Sequence, residues 1–246
     1  MKAPGFFTFA AGKPNPHDIG VLLRGEPDAL LAWTERRDAR RFALQVAVIV
    51  AGAGLYGAAM GWWRDPQQAL YVAIKFPLII LLTTLGNALL NAMLAPLLGL
   101  NIPFRQSFSA ILMSFTIAAA ILGAFSPLMA FMVWNAPSMS PEAVSGTTYS
   151  FIKLTNVAAI AFAGAIGNAR LFQLLTRLGG RHAVAFRVLF AWLTGNLFLG
   201  SQLSWILRPF IGSPDLPVEF YRVTALHGNF YENVFHSLLQ IFQQFD

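Results

Sequence analysis

The long apolar runs of this sequence decide what it can fold into. Mainly apolar stretches occupy residues 42–63, 69–100, 107–134, 148–168 and 183–207. About 20 apolar residues in a helix cross the hydrocarbon core of a bilayer. Lipid offers no hydrogen-bond partners to the backbone, and the runs lack the alternation of a membrane β-barrel. We therefore predict an all-α fold, a polytopic transmembrane bundle of about five helices with amphipathic N- and C-terminal segments.

The composition agrees with a membrane protein. Hydrophobic residues make up 56% of the chain and charged residues 11%, whereas a soluble domain is typically about 25% charged. The chain has no cysteine, which excludes disulfides, thiolate metal sites and cysteine nucleophiles. Its net charge is +6, but the basic residues flank apolar runs. We therefore expect membrane lipids, and no nucleic acid, as partners.

The distribution of basic residues predicts the orientation of the chain, because cytoplasmic loops are enriched in Lys and Arg. Of the 17 basic residues, twelve fall on one predicted side: Lys2, Lys13, Arg24, Arg36, Arg37, Arg40, Arg41, Arg105, Arg170, Arg177, Arg181 and Arg187. The other side has Arg64, Lys75, Lys153, Arg208 and Arg222. The N-terminus is predicted to be cytoplasmic and the C-terminus extracytoplasmic.

Two segments flank the transmembrane domain, residues 42–209. Residues 1–41 form a cytoplasmic arm with short amphipathic helices, in which Asp18 is a plausible N-cap and Pro27 suits a first helical turn. Residues 210–246 form an extracytoplasmic loop and an amphipathic C-terminal helix. A basic cluster before the first span is either a topology signal or a contact for lipid headgroups: Arg36, Arg37, Arg40 and Arg41.

Three predicted spans carry polar residues on one helix face, at intervals of four or a multiple of four. These faces should avoid lipid and meet one another. They either pack by hydrogen bonds of about 0.6 kcal/mol each, or line a hydrated path for ions or a small polar solute. The candidate residues are Thr83, Asn87, Asn91, Asn156, Asn168, Asn196, Ser204 and Arg208. Lys75 and Arg208 lie near span ends, where we expect their side chains to reach water.

The segment after the last span is a candidate gate or cap. Arg208 is followed by three prolines and by Asp215 and Glu219. The prolines stiffen a loop that folds back over the bundle, and Arg208 is predicted to pair with Asp215 or Glu219. This loop either caps the bundle or gates a ligand.

The sequence contains no recognisable catalytic or metal-binding motif. Its four histidines are scattered, and no HExxH, G-x-S-x-G or Walker A pattern occurs. We therefore expect no cofactor, no metal and no catalytic residue. The leading interpretation is a non-enzymatic scaffold or subunit, as a homo-oligomer or bound to a membrane partner. One alternative is a channel or small-solute transporter, and another is a lipid-modifying enzyme that uses Lys75, Lys153, Arg208 and the acidic residues on the same side.

Residues 76–128 carry a resemblance to a known family. A long apolar helix leads through a short loop into Phe104, Arg105, Gln106 and Ser107, where the next helix starts. This pattern resembles the YIP family of five-span membrane proteins, and the cytoplasmic N-terminus is similar too. Eukaryotic members bind small GTPases and act in membrane trafficking. The resemblance implies a role in assembly rather than catalysis, and it assigns no site residue.

Overall fold

The computed structural model describes residues 17–24, 27–35, 38–140, 146–213 and 216–232. Within these residues every regular element is a helix. The helices are α1 (His17–Arg24), α2 (Pro27–Glu35), α3 (Ala39–Trp62), α4 (Pro66–Leu97), α5 (Phe104–Asn135), α6 (Gly146–Gly179) and α7 (His182–Ile206). The five helices α3 to α7 are long and apolar enough to cross a membrane. The prediction of an all-α polytopic bundle is confirmed, and the chain is an integral membrane protein.

The helix boundaries follow local chemistry. The Asp65 carboxylate accepts a hydrogen bond of 2.7 Å from the backbone N–H of Gln67 and starts α4 at Pro66. Pro77 was expected to kink or start this span, but it lies inside one helix that runs from Pro66 to Leu97. The fourth span was predicted to end at residue 168, whereas α6 continues to Gly179. The extension is amphipathic, because its leucines at 171, 174 and 175 are buried.

The five spans form one bundle around α3 and α5. Helix α3 packs against α4 and α5, α5 also packs against α6, and α7 lies against both α4 and α6. One end of the bundle, the α1–α2 end, includes residues 98–103 and 180–181. The opposite end, the loop end, includes residues 63–65, 136–140, 207–213 and 216–232. Which end faces the cytoplasm stays a prediction.

Close backbone contacts hold α3 in the centre. A Cβ atom on Gly52 would collide with the carbonyl oxygen of Ala119 in α5. One on Gly57 would lie 2.7 Å from the carbonyl oxygen of Val72 in α4. Lipid tails are as apolar as the side chains, so helix association in a bilayer depends on such close packing. The two glycines therefore set the distance from α3 to its neighbours.

The short helices predicted near the N-terminus are confirmed. The buried side chains of Leu22, Leu30 and Trp33 belong to the same apolar cluster as the α6 extension. The guanidinium of Arg41 lies 4.4 Å from the centre of the Trp33 ring. Arg41 is therefore held against Trp33, and its headgroup contact stays a prediction.

Other expectations for the flanking segments have mixed outcomes. Helix α1 begins at His17, so Asp18 lies inside the helix and is not its N-cap. Arg40 is half-buried at the start of α3, where its backbone N–H donates to the Asp38 carboxylate. Arg36, Arg37 and residues 233–246, which hold most of the predicted C-terminal helix, lie outside the described residues.

Candidate functional site

Helices α4 and α7 meet through two asparagines. The Nδ2 group of Asn87 donates to the Oδ1 atom of Asn196 at 2.6 Å and to the carbonyl oxygen of Trp192 at 3.1 Å. A Cβ atom on Gly195 would lie 2.5 Å from the Oδ1 atom of Asn87. The absence of a side chain at Gly195 therefore lets α7 approach α4 closely enough for these bonds to form.

The same face of α4 carries buried polar atoms that no described protein atom satisfies. They are the hydroxyl of Thr83, Oδ1 of Asn87 and both amide atoms of Asn91. Nε1 of Trp192 in α7 is also buried without a partner. A buried unsatisfied group costs about 1–3 kcal/mol, and buried water commonly satisfies such groups. We call this face the α4 polar face (Thr83, Asn87 and Asn91). It is the part of the predicted path whose polar atoms can still form hydrogen bonds.

The asparagines of α6 belong to different contacts. The Tyr56 hydroxyl of α3 donates to Oδ1 of Asn156 at 2.9 Å. Nδ2 of Asn168 donates to the Gly164 carbonyl of its own helix at 2.8 Å. The expectation that all three polar faces meet is therefore wrong for α6. Because α7 packs between α4 and α6, Asn156 binds α3 instead of Asn87.

Lys75 does not reach water, contrary to the expectation for a residue near a span end. Its side chain is fully buried, at 0% exposure. Its Nζ atom donates to the carbonyl oxygens of Pro209 at 3.2 Å and Glu219 at 3.4 Å. It also lies 5.0 Å from the centre of the Phe220 ring. The loop after α7 folds back over α4 and supplies these partners, so the ammonium group is satisfied inside the protein.

Further bonds tie the same loop, the cap segment (residues 207–213 and 216–222), to the bundle. Nε2 of Gln68 donates to the carbonyl oxygens of Pro209 at 2.9 Å and of Phe210 at 3.0 Å. The Tyr149 hydroxyl of α6 donates to the carbonyl of Gly212 at 2.9 Å. Nη2 of Arg64 donates to the carbonyl of Leu216 at 3.1 Å. The cap segment is therefore bound to α4, α6 and the α3–α4 turn.

Arg208 is held differently from the prediction. Its Nη1 atom donates to the Trp205 carbonyl at 2.7 Å, and its guanidinium lies 3.7 Å from the centre of the Trp205 ring. In the described part of the chain it forms no ion pair with Glu219, which contributes its backbone carbonyl to Lys75 instead. Asp215 lies outside the described residues, and Ser204 is half-buried on α7.

The sequence interpretation missed Gln68, Tyr56 and Tyr149 as polar partners. The spacing of Gln68 could have predicted its role, because it lies two helical turns before Lys75 and therefore shares its face of α4. The spacing of the two tyrosines could not, since each bonds to a residue far away in the sequence.

Two grooves among the described residues are apolar. One of about 250 Å³ lies between α5 and α6 and includes Phe125, Met129 and Phe162. Another of about 240 Å³ lies between α3 and α5 and includes Pro127 and Trp134. Neither includes the α4 polar face. Among the described residues, no three His, Cys, Asp or Glu side chains come together as a metal site would require.

Comparison with models of known protein families found no match, and comparisons with curated proteins and with solved structures found none either. The resemblance of residues 76–128 to the YIP family stays a prediction.

The Lys75→Met variant tests the attachment of the cap segment. It removes the charged donor to Pro209 and Glu219 and leaves an unbranched side chain that is one atom shorter. Hydrogen bonds of charged groups contribute about 1.5–3 kcal/mol, so amide exchange in residues 207–222 should accelerate by about tenfold or more. Hydrogen–deuterium exchange with mass spectrometry measures this change. Lys153→Met, at an exposed lysine of α6, is the control, and equal exchange in both variants would contradict the expectation.

Proposed function

We propose that this integral membrane protein is a non-enzymatic scaffold or subunit of a membrane assembly, and that it self-associates through α6. The observation that carries the proposal is a face of exposed small residues on this helix. The face consists of Ala158, Ala161, Ala165 and Ala169. Spacings of three and four place these alanines along one side of the helix.

Such a face favours helix association in a bilayer. Small residues spaced by four let two backbones approach closely, and membrane interfaces are enriched in them. Phe162 of α6, four residues after Ala158, borders this row, and α7 exposes Phe186 and Phe190. Only 22% of the most apolar part of α6 is buried within the chain, compared with 50% for α5. The alanines therefore form an exposed row of small side chains beside bulky ones.

A second copy of the chain is the occupant that we propose for this face. In a two-fold dimer the same patch occurs on both partners, so it must be self-complementary. A row of alanines meets that condition, because small side chains on both helices leave room for each other. This assembly role agrees with the implication of the YIP resemblance but does not depend on it.

We also propose that the α1–α2 end of the bundle lies in the cytoplasm. The helices bring eight described basic residues to this end, Arg24, Arg40, Arg41, Arg105, Arg170, Arg177, Arg181 and Arg187. The other described basic residues, Arg64, Lys75, Lys153, Arg208 and Arg222, lie nearer the loop end. The enrichment of basic residues on the cytoplasmic side supports this orientation.

Self-association predicts a clear effect of the Ala161→Leu/Ala165→Leu variant. Two leucines on this face separate the helices, and overpacking of about 1–3 kcal/mol should weaken the dimer by about tenfold or more. Energy transfer between labelled copies in liposomes, as the lipid-to-protein ratio rises, measures the dissociation constant.

The matched control is Ala51→Leu/Ala124→Leu, at exposed alanines of α3 and α5, which should dimerise like the wild type. A wild-type protein that stays monomeric at every ratio would contradict self-association. Equal weakening in the two double variants would contradict the role of α6.

A specific observation also favours a second candidate function, a channel or small-solute transporter. The α4 polar face keeps unpaired polar atoms on Thr83, Asn87 and Asn91. From residue 83 to residue 91 these atoms extend over about 12 Å of helix. A row of hydrogen-bonding groups of this length can hold water or a small polar solute within the bilayer.

The Asn91→Leu variant tests this second function. If the α4 polar face conducts, proteoliposomes should pass potassium or glycerol faster than empty liposomes. Asn91→Leu should then lower the flux by about tenfold, since it removes two polar atoms and adds an apolar plug. Asn168→Leu, at a residue bonded to its own helix, is the control. No flux above that of empty liposomes, or equal flux in both variants, would exclude conduction along this face.

A further inference from the structure

Three cationic side chains converge at the loop end. Nζ of Lys75 bonds to the carbonyl of Pro209, the residue after Arg208. It also bonds to the carbonyl of Glu219, three residues before Arg222. The charge of Arg222 acts on both Lys75 and Arg208. We call Lys75, Arg208 and Arg222 the cationic cluster.

No described carboxylate neutralises the cationic cluster. The ion pairs in the described residues are Asp38–Arg41 and Asp28–Arg177, and both lie at the opposite end of the bundle. Glu219 approaches Lys75 through its backbone carbonyl, and its carboxylate forms no ion pair with any residue that the structure describes. Burial, followed by the charge of Arg222, lowers the pKa of Arg208. Arginine still keeps its proton in proteins, so the mutual repulsion persists and an anion would relieve it.

The two arginines have the donors that an oxyanion requires. The Arg208 guanidinium is fixed against Trp205 and uses its Nη1 atom on the Trp205 carbonyl. Arg222 is half-buried and makes no hydrogen bond with the described residues. An arginine carries five N–H donors in a planar fork that matches pairs of phosphate oxygens. Within the described ranges, most of the donors of both arginines therefore have no protein acceptor.

We propose that the cationic cluster is a binding site for a phosphate group. Arg208 and Arg222 donate to the phosphate oxygens, and Lys75 adds its charge from the protein side. Arg208 lies two residues beyond the end of α7, so the site is at the level where a bilayer presents its headgroups. The phosphate belongs to an anionic lipid headgroup or to a free phosphate ion. This inference is independent of self-association through α6.

The test uses the purified full chain in neutral detergent with two probes. One probe is inorganic phosphate, measured by calorimetry, and the other is phosphatidylglycerol, titrated by native mass spectrometry. The wild type should bind at least one of them. Arg208→Gln and Arg222→Gln should each weaken that binding by about tenfold, as expected for loss of a charge-assisted contact of about 1.5–3 kcal/mol.

The matched control is Lys153→Gln, which removes an exposed cation of α6 and should change affinity by less than about twofold. Helical circular dichroism and a single elution peak establish that each arginine variant is folded. Binding of phosphatidylglycerol without inorganic phosphate assigns the site to a lipid headgroup, and binding of inorganic phosphate assigns it to the free ion. A wild type that binds neither probe, or arginine variants that bind as tightly as the wild type, would overturn the proposal.

Discussion

The hydrocarbon of the bilayer offers no hydrogen-bond partner, and this constraint organises the whole structure. Several polar side chains within the spans find partners inside the chain. Asn87 bonds to Asn196 and joins α4 to α7, while Tyr56 bonds to Asn156 and joins α3 to α6. Lys75 is the most demanding case, because a buried charge costs far more than a buried amide. Its two carbonyl partners come from the cap segment, so this one side chain helps to close the loop end.

The same constraint explains how much could be predicted from the sequence. A helix must be long and apolar to cross a bilayer, so the apolar runs predict five spans directly. The order in which helices pack is not encoded in any single run. Asn156 shares a periodic polar pattern with Asn87, yet α7 separates their helices. The burial of Lys75 depends on Pro209, which is 134 residues away in sequence, and no local pattern predicts that contact.

The end of α6 shows a second limit of sequence patterns. Polarity rises after Asn168, where Arg170 and Arg177 interrupt the apolar run. The helix nevertheless continues, because Leu171 and Leu174 pack with α2 in one apolar cluster beneath the bundle. A scan for apolar length detects the lipid-embedded part of a helix and misses an amphipathic extension. The helix periodicity of the buried leucines is the signal that such a scan ignores.

The proposed contacts follow from features that have no partner among the described residues: an exposed row of alanines on α6, unpaired amide atoms on α4 and three cations without an ion-paired carboxylate. All of them presuppose that the bundle crosses a membrane with its two ends on opposite sides. The chain contains no cysteine, so a single cysteine at an exposed position can report its side by labelling with an impermeant maleimide. Suitable sites are Asp28 in α2, whose side chain is 86% exposed, and Val223 at the loop end, which is 89% exposed. We expect Val223→Cys to react in intact cells and Asp28→Cys to react only after lysis. Reaction of both variants from the same side of an intact membrane would contradict the five-span arrangement.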